Sequence, residues 1–504
     1  MAISSGLFST SAAGDEGGVR ESRKKEALDW LEWGRGWLHV VGEFFFQRIS
    51  ASHLENPLNL PHLNGITCIV TGSTSGIGLE IASRQLAEAG AHVVMAVRRM
   101  NAAYELIQKW NSEKQGLCLP LNVEVMELDL LSLDSVKQFA KAWNARQAAL
   151  HALINNAGIF TLGEPQRFSK DGYEEHMQVN HLAPALLSML LIPSLLLGSP
   201  SRIINLNSIM HSVGFVNPED MNITSGKRKY TSLAGYSNSK LAQIKFSSIL
   251  QKRIPAEAGI NVICVSPGIV HTNVARDLPK VLVAGYHLIP YFIFDAQEGS
   301  RSALFAATDP QVPDYCAMLK ADEWPVCAYI SHDCRPANAS EEAHNLETSQ
   351  AVWEKSLEMI GLPADALENL IEGVLMMLSK KFVFCSNNYV IRVLEIYDIE
   401  MFFFLFLFVE YKQSSFLSGG NFIDFNTLFI TSVATRAYEF MFLMITNIED
   451  QLAYSLQYFS SKLVCVYTNI SGQSPRKELL KTSRKVRIRI NCNKACKVCN
   501  VFIS

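Results

Sequence analysis

Tyr236 and Lys240 stand four residues apart in a stretch with helical spacing, residues 233 to 254, so their side chains share one face. A phenol titrates near 10 and is a poor acid or base at neutral pH, but a neighbouring ammonium favours the phenolate and pulls that value down. The pair can therefore give a proton to a carbonyl oxygen or take one from an alcohol. Ser208 follows an apolar run, 202 to 207, that reads as a strand, and its hydroxyl can hydrogen-bond the same oxygen as charge develops there. Asn180 falls in the middle of a stretch, 171 to 197, that reads as one long helix. Asparagine is a poor interior helix residue, so it either faces solvent or has a task, such as holding a water that relays protons. Any helix can carry Tyr-x-x-x-Lys by chance. The reading depends on what positions the pair.

Residues 66 to 70 form a short β-branched run, which reads as a buried strand. Thr71-Gly72-Ser73-Thr74-Ser75-Gly76-Ile77-Gly78 is a glycine-punctuated turn, and Leu79, Ile81, Ala82, Leu86 and Ala89 then recur at helical spacing, with Gly90 as C-cap. Strand, glycine turn and helix N-terminus make an anion site, because unpaired N–H groups point outward and glycines let a pyrophosphate approach. The ordinary alternative is a glycine-rich turn without a ligand.

The next strand, 91 to 97, ends in Arg98-Arg99. An acidic residue at this edge would hold a ribose 2′-OH, whereas arginine accommodates a 2′-phosphate. No acid stands there, which favours NADP(H) over NAD(H); two solvated surface arginines are the alternative. Asp129, beside Leu130 at the end of a third strand (123 to 130), could accept from an adenine amino group. A fourth strand, 150 to 154, runs into Asn155-Asn156-Ala157-Gly158, where the asparagines can tie strands together and Gly158 permits close approach. A sixth, 261 to 265, is followed by Ser266-Pro267-Gly268.

Strands alternating with helices imply a parallel sheet covered on both faces. The glycine turn, Arg98, Asp129, Asn155, Ser208 and Pro267 all fall just past strand carboxyl ends, where an open α/β sheet builds its site. The 504 residues allow one large domain or two to three ordinary ones. A net charge of −3 gives no reason to expect nucleic acid as a partner. Eleven scattered cysteines fit structural thiols in a reducing compartment. Cys492, Cys496 and Cys499 lack an evident fourth ligand, so no metal is expected.

Taken in order, Thr71–Gly78, Asn155–Gly158, Asn180, Ser208, Tyr236–Lys240 and Pro267-Gly268 resemble the motif set of the short-chain dehydrogenase/reductase family, over about residues 62 to 373. The resemblance implies a Rossmann-like, doubly wound α/β domain. It implies a catalytic tetrad of Asn180, Ser208, Tyr236 and Lys240, with nicotinamide contacts from Pro267, Gly268 and Thr272. Asp171-Gly172-Tyr173 through Asn180, with His211 further on, is similar to the retinol-dehydrogenase-like branch and, within it, to the plant FOREVER YOUNG and X-chromosome-encoded dehydrogenase/reductase groups. Members of this branch often use lipophilic alcohols and aldehydes, so the expected activity interconverts a carbonyl and an alcohol on a retinoid-, prenoid- or steroid-like substrate. Family members commonly form homodimers through the helices around 171–197 and 233–254. Two departures stand out: Asn207 occupies the place of a first serine, and the glycine turn holds no basic residue between Gly72 and Gly76. The rival class is a non-catalytic nucleotide-binding regulator or scaffold, which typically loses the tyrosine or the lysine; this chain keeps both.

Three further segments frame this domain (60–373). Residues 1–59 comprise a polar start and an amphipathic helix, 27 to 49, in which Trp30, Trp33, Trp37, Val41, Phe44 and Phe45 recur at helical spacing. Glu32, Arg35, Glu43 and Arg48 interrupt it, so it cannot span a bilayer. It either lies on a membrane surface or packs across the following domain. Residues 273 to 298 are strongly apolar and read as a substrate lid, a second membrane contact or a buried helix pair. Residues 374–504 lose the strand–helix rhythm and read as translated non-coding sequence without function, the alternative being a membrane-attached extension. A cytoplasmic location, or the cytoplasmic face of an internal membrane, is expected; the serines among the first eleven residues leave an organelle open, against Asp15 and Glu16.

Overall fold

A computed structural model of the chain describes residues 27–113, 121–271, 292–321 and 327–381, and three short strands between 384 and 410. Its centre is a parallel seven-stranded sheet of order β3-β2-β1-β4-β5-β6-β7. The strands are β1 (Thr67–Thr71), β2 (His92–Val97), β3 (Val123–Glu127), β4 (Ala152–Asn155), β5 (Ser201–Leu206), β6 (Ile260–Val265) and β7 (Ala328–Ile330). Strand order reverses between β1 and β4, the switch point at which such sheets open a crevice.

Side-chain alternation sends each strand's apolar residues to two cores. Ile69, Leu153 and Ile203 join a cluster with Trp143, Leu186, Ile244 and Trp353. Cys68, Val70, Ile154 and Ile204 join another with Ile81, Leu86, Leu304 and Cys316. The helices are α1 (Trp30–Ser50), α2 (Gly76–Leu79, continuing as a π-helical stretch Glu80–Leu86), α3 (Met100–Glu113), α4 (Leu133–Asn144), α5 (Glu175–Met177), α6 (Ala183–Leu190), α7 (Ile192–Leu197), α8 (Ser232–Arg253), α9 (Ala296–Thr308), α10 (Val312–Ala321), α11 (Leu346–Ile360) and α12 (Ala366–Lys381). Cys68, Cys264, Cys316, Cys327 and Cys334 are free and buried.

The long helix expected over 171–197 is broken. Gly172 takes φ +84° and Phe168 bridges Glu174, so 168–174 is a closed loop. The Asp171 carboxylate accepts from Leu133 N at 2.8 Å, serving the start of α4 instead. α5 begins only at Glu175, its end capped by the Glu174 carboxylate accepting from Met177 N at 2.8 Å. A π-helical turn, Gln178–Leu182, then holds Asn180. Pro184 explains that turn: with no N–H it cannot bond the carbonyl four residues back, which is that of Asn180. That freed carbonyl accepts from Gln243 Nε2 at 3.1 Å. A second break at Leu191 precedes Pro193 in α7. The third strand also stops earlier than expected, at Glu127, leaving Asp129 and Leu130 in the turn before the Ser132 cap of α4.

α12 crosses residue 373 and runs to Lys381. Beyond it, Phe384–Ser386, Tyr389–Glu395 and Leu405–Glu410 form a small antiparallel sheet. The polar start, most of the apolar 273–298 segment, Thr272 and the chain from 411 onward lie outside the described residues.

Candidate active site

One cavity of about 530 Å³ runs along the carboxyl ends of the strands. Its wall contains Thr71, Gly72, Ser75, Gly76, Ile77, Gly78, Arg98, Arg99, Asp129, Leu130, Asn156, Ala157, Gly158, Ser208, Tyr236, Lys240, Pro267 and Gly268. Residues from six strand ends thus meet in one space. Ser73 and Asn180 are not part of that wall; both are fully buried.

At the glycine turn, Gly72 takes φ +67°, and a Cβ there would come within 2.9 Å of Ala157 Cβ. A side chain on Gly78 would collide with the Asn156 amide. The two loops can approach only because both positions are glycine. Asn156 Nδ2 donates to Thr71 O at 2.8 Å, and Ala157 N donates to Thr71 Oγ1 at 3.0 Å, which locks them. The result is a glycine-rich cradle at a helix N-terminus, a fit for a pyrophosphate. Arg98 and Arg99 are exposed at its far end, where a second hollow is shared with Glu105 and Glu127. Asn155 does tie strands: its Nδ2 donates to Asn205 Oδ1 on β5 at 2.8 Å and to Ser188 Oγ at 3.0 Å.

Around the proton-transfer residues nearly every polar atom has an assigned partner. Lys240 Nζ donates to Leu206 O at 2.7 Å and stands 5.9 Å from the Tyr236 ring centroid. Burial pushes the Lys240 ammonium down to about 8. Asn207, the departure from the expected serine pair, has a structural task. Its Nδ2 donates to Lys240 O at 2.8 Å and Gln243 Oε1 at 3.0 Å, while its Oδ1 accepts from Ser208 N at 2.9 Å. His211 Nδ1 donates to Ser208 O at 2.7 Å. Burial holds His211 at about 4, so it is a neutral strut with Nε2 accepting from Ser340 N.

Asn180 does not present its amide to the cavity. Oδ1 accepts from Ile159 N at 2.8 Å, and Nδ2 donates to Ile159 O and to Ser239 Oγ, both at 3.0 Å. The side chain therefore pins the main chain beyond Gly158. Two residues on, Thr161 N donates to His176 Nε2 at 3.1 Å, and His176 Nδ1 donates to Glu174 Oε1 at 2.7 Å. Burial would raise the Glu174 carboxyl, but His176 and the Met177 N–H outweigh that and hold it below its ordinary value. Between these two pins, Phe160 stacks on Tyr236 with ring centroids 4.3 Å apart.

Sequence reasoning missed this support; it expected α1, as a helix on a membrane or packed across the domain, but not its part in the site. Val40 of α1 lines the cavity, and Ile159, Phe160, Ile209, Met210, Ile269 and Val270 make the rest of an apolar wall. The signal for that part was present: Gly36, Val40, Glu43 and Gln47 recur at steps of four, three and four, a stripe opposite many of the aromatics.

A parallel doubly wound sheet with a glycine cradle and a Ser/Tyr/Lys cluster at its switch point defines a nucleotide-dependent oxidoreductase architecture. The family model described as short chain dehydrogenase matches residues 67–218. The chain is 68% identical over 352 residues to the dehydrogenase/reductase SDR family member FEY of Arabidopsis thaliana, covering 70% of this chain and 93% of that protein. It is 35% identical over 328 residues to mouse retinol dehydrogenase 11, covering 65% and 96%. It is 31% identical over 300 residues to human polyprenol dehydrogenase, covering 58% and 84%. The chain belongs to the short-chain dehydrogenase/reductase family, and is an oxidoreductase acting on CH–OH groups with a fold that binds NAD(P).

Proposed function

We propose that the protein interconverts a lipophilic alcohol and its aldehyde or ketone with NADP(H), using Tyr236 as acid and base. One observation carries the reading: a single cavity joins the glycine cradle and the arginine pair to Tyr236, Lys240 and Ser208 under an apolar wall. When bound, the nicotinamide supplies or accepts the hydride. In the reductive direction the Tyr236 hydroxyl gives its proton to the carbonyl oxygen, and in the oxidative direction the phenolate takes the alcohol proton. The Lys240 ammonium, held at Leu206 O, favours the phenolate. Ser208 donates to the same oxygen from a main chain fixed by Asn207 and His211. Asn180 and His176 keep Phe160 against Tyr236, so the phenol holds one orientation. Arg98 and Arg99 suit a 2′-phosphate, and Asp129 and Leu130, in the same wall, would bound the adenine end.

The apolar wall suits a greasy substrate, and retinol and polyprenol dehydrogenases are among the relatives. Such a substrate partitions into lipid, and α1 has a face to match. Its exposed residues include Trp30, Trp33, Leu38, Val41, Phe45, Phe46 and Ile49. Among the described residues no helix is long and apolar enough to cross a membrane. We therefore assign α1 to peripheral contact with the cytoplasmic face of a membrane. The test is titration of the protein with NADPH and NADH, then turnover of isoprenoid and long-chain aldehydes. Tighter NADPH binding, and turnover that falls by about a hundredfold or more in Tyr236→Phe while binding persists, are expected. Unaltered turnover in Tyr236→Phe, or no binding of either nucleotide, overturns the reading.

A further inference from the structure

The inner stripe of α1 does more than pack. Gln47 is completely buried, and its amide is spent on the segment that follows β6. Oε1 accepts from Ile269 N at 2.8 Å, and Nε2 donates to Ile269 O at 3.1 Å and also to Phe292 O. One side-chain amide thus satisfies both main-chain groups of one residue, as a neighbouring strand would. One turn earlier, Glu43 Oε1 accepts from Ser266 Oγ at 3.4 Å, and its other oxygen lies 3.4 Å from His332 Nδ1. Ser50 Oγ pairs with His332 Nε2 at 2.8 Å. The helix therefore brackets Ser266 to Ile269 from one side, and Gly268 sits so close that a Cβ there would come within 2.7 Å of Gln47 Oε1.

An ordinary packing helix would bury leucine or isoleucine at this position. A buried amide is tolerated only when its donors and acceptor are all used, as they are here. We propose that Gln47 is a positioning residue for the nicotinamide end of the site. It holds the Gly268–Ile269 main chain, which would border the nicotinamide, from a helix outside the stretch that the family model matches. This rests on the cofactor reading above, in which Pro267 and Gly268 would contact the nicotinamide.

The test compares two ligands on the full chain: NADPH, and 2′-phospho-ADP-ribose, which is NADP without its nicotinamide ring. In Gln47→Met, which keeps the length and loses the hydrogen bonds, NADPH affinity falls about tenfold, while ring-less affinity stays within about twofold. Gln47→Glu keeps the acceptor for Ile269 N but sets its second oxygen against the Ile269 and Phe292 carbonyl oxygens, so NADPH affinity falls at least as far, again with the ring-less ligand within about twofold. Should Gln47→Met fail to fold, the same ratio in Gln47→Glu decides. Equal weakening of both ligands, or a drop in unfolding temperature with no change in either affinity, assigns Gln47 to packing and overturns the proposal. A wild-type chain that binds neither ligand is a separate result: the cofactor reading then fails, and the role of Gln47 with it.

Discussion

The Asn207 amide donates to the main-chain carbonyl of Lys240 at 2.8 Å, so the residue just past β5 is tied to the turn of α8 that carries the ammonium. The same side chain accepts from Ser208 N at 2.9 Å. One residue thereby fixes the spacing between the group that polarises the oxygen and the group that tunes its proton donor. Asn207→Ala removes three hydrogen bonds, each worth a net of about 0.5–1.5 kcal/mol. Stability should fall by roughly 2 kcal/mol in denaturant unfolding. Turnover should fall further than that loss explains, with KM for NADPH nearly unchanged. Unfolding at wild-type denaturant concentrations would show that the bridge carries nothing.

Lys240 sets a pH limit. Its ammonium is pushed down to about 8 by burial. Below that value the charge is present and favours the phenolate; above it the charge is lost. For carbonyl reduction, kcat/KM reports the free enzyme and should decline as pH rises through about 8. A pH–rate profile level to pH ~10 would contradict a charged Lys240 as the tuning group.

The sheet and most of the cavity wall were legible because they rest on short-range signals: β-branched runs, glycine at the cradle, and Tyr-x-x-x-Lys on one helix face. Other features depend on partners far away in sequence. Asn180 shows a polar residue inside a helix, but nothing local says that its amide meets Ile159 or that Pro184 frees its carbonyl for Gln243. The break before Glu175 was readable in Gly172, yet apolar periodicity on both sides concealed it. Gln47 stands among phenylalanines that advertise a membrane face, and its task appears only when β6 is beside it. The two readings of α1 were posed as alternatives; the helix packs across the site with one face and leaves an apolar face exposed with the other.

Acid should destabilise the fold earlier than carboxylates alone would predict. His181 is buried, Nε2 against Ser356 Oγ at 2.7 Å, and burial pushes it down to about 3; His211 is held at about 4. In the unfolded chain both titrate near 6.5. Between the folded and unfolded values the unfolded state binds more protons, so stability is complete above about pH 6.5 and is lost as pH falls. Each histidine contributes a slope on the order of 1.4 kcal/mol per pH unit in that window. His181→Gln, a neutral partner for Ser356, should reduce the slope by about one proton in unfolding measured from pH 7 to 4.5. An unchanged slope would mean that His181 takes up its proton in the folded state.

The outer face of α1 predicts where the protein sits. Trp30, Leu38 and Phe46 are 79%, 71% and 63% exposed, on a helix whose inner face is occupied by Gln47 and Arg48 contacts. Transferring such side chains from water to a lipid interface stabilises by up to about 1.5–3 kcal/mol each, less when insertion is shallow. The full chain should float with phosphatidylcholine vesicles, and the triple replacement Trp30→Ser, Leu38→Ser, Phe46→Ser should lower the bound fraction at least about tenfold. Because none of the three lines the cavity, NADPH affinity should be retained and turnover of a water-soluble short-chain aldehyde unchanged. Turnover of a vesicle-borne isoprenoid aldehyde should drop with vesicle binding. If the triple variant still floats, another segment makes the contact; if it loses NADPH affinity as well, the outer face supports the fold and does not serve as a docking surface.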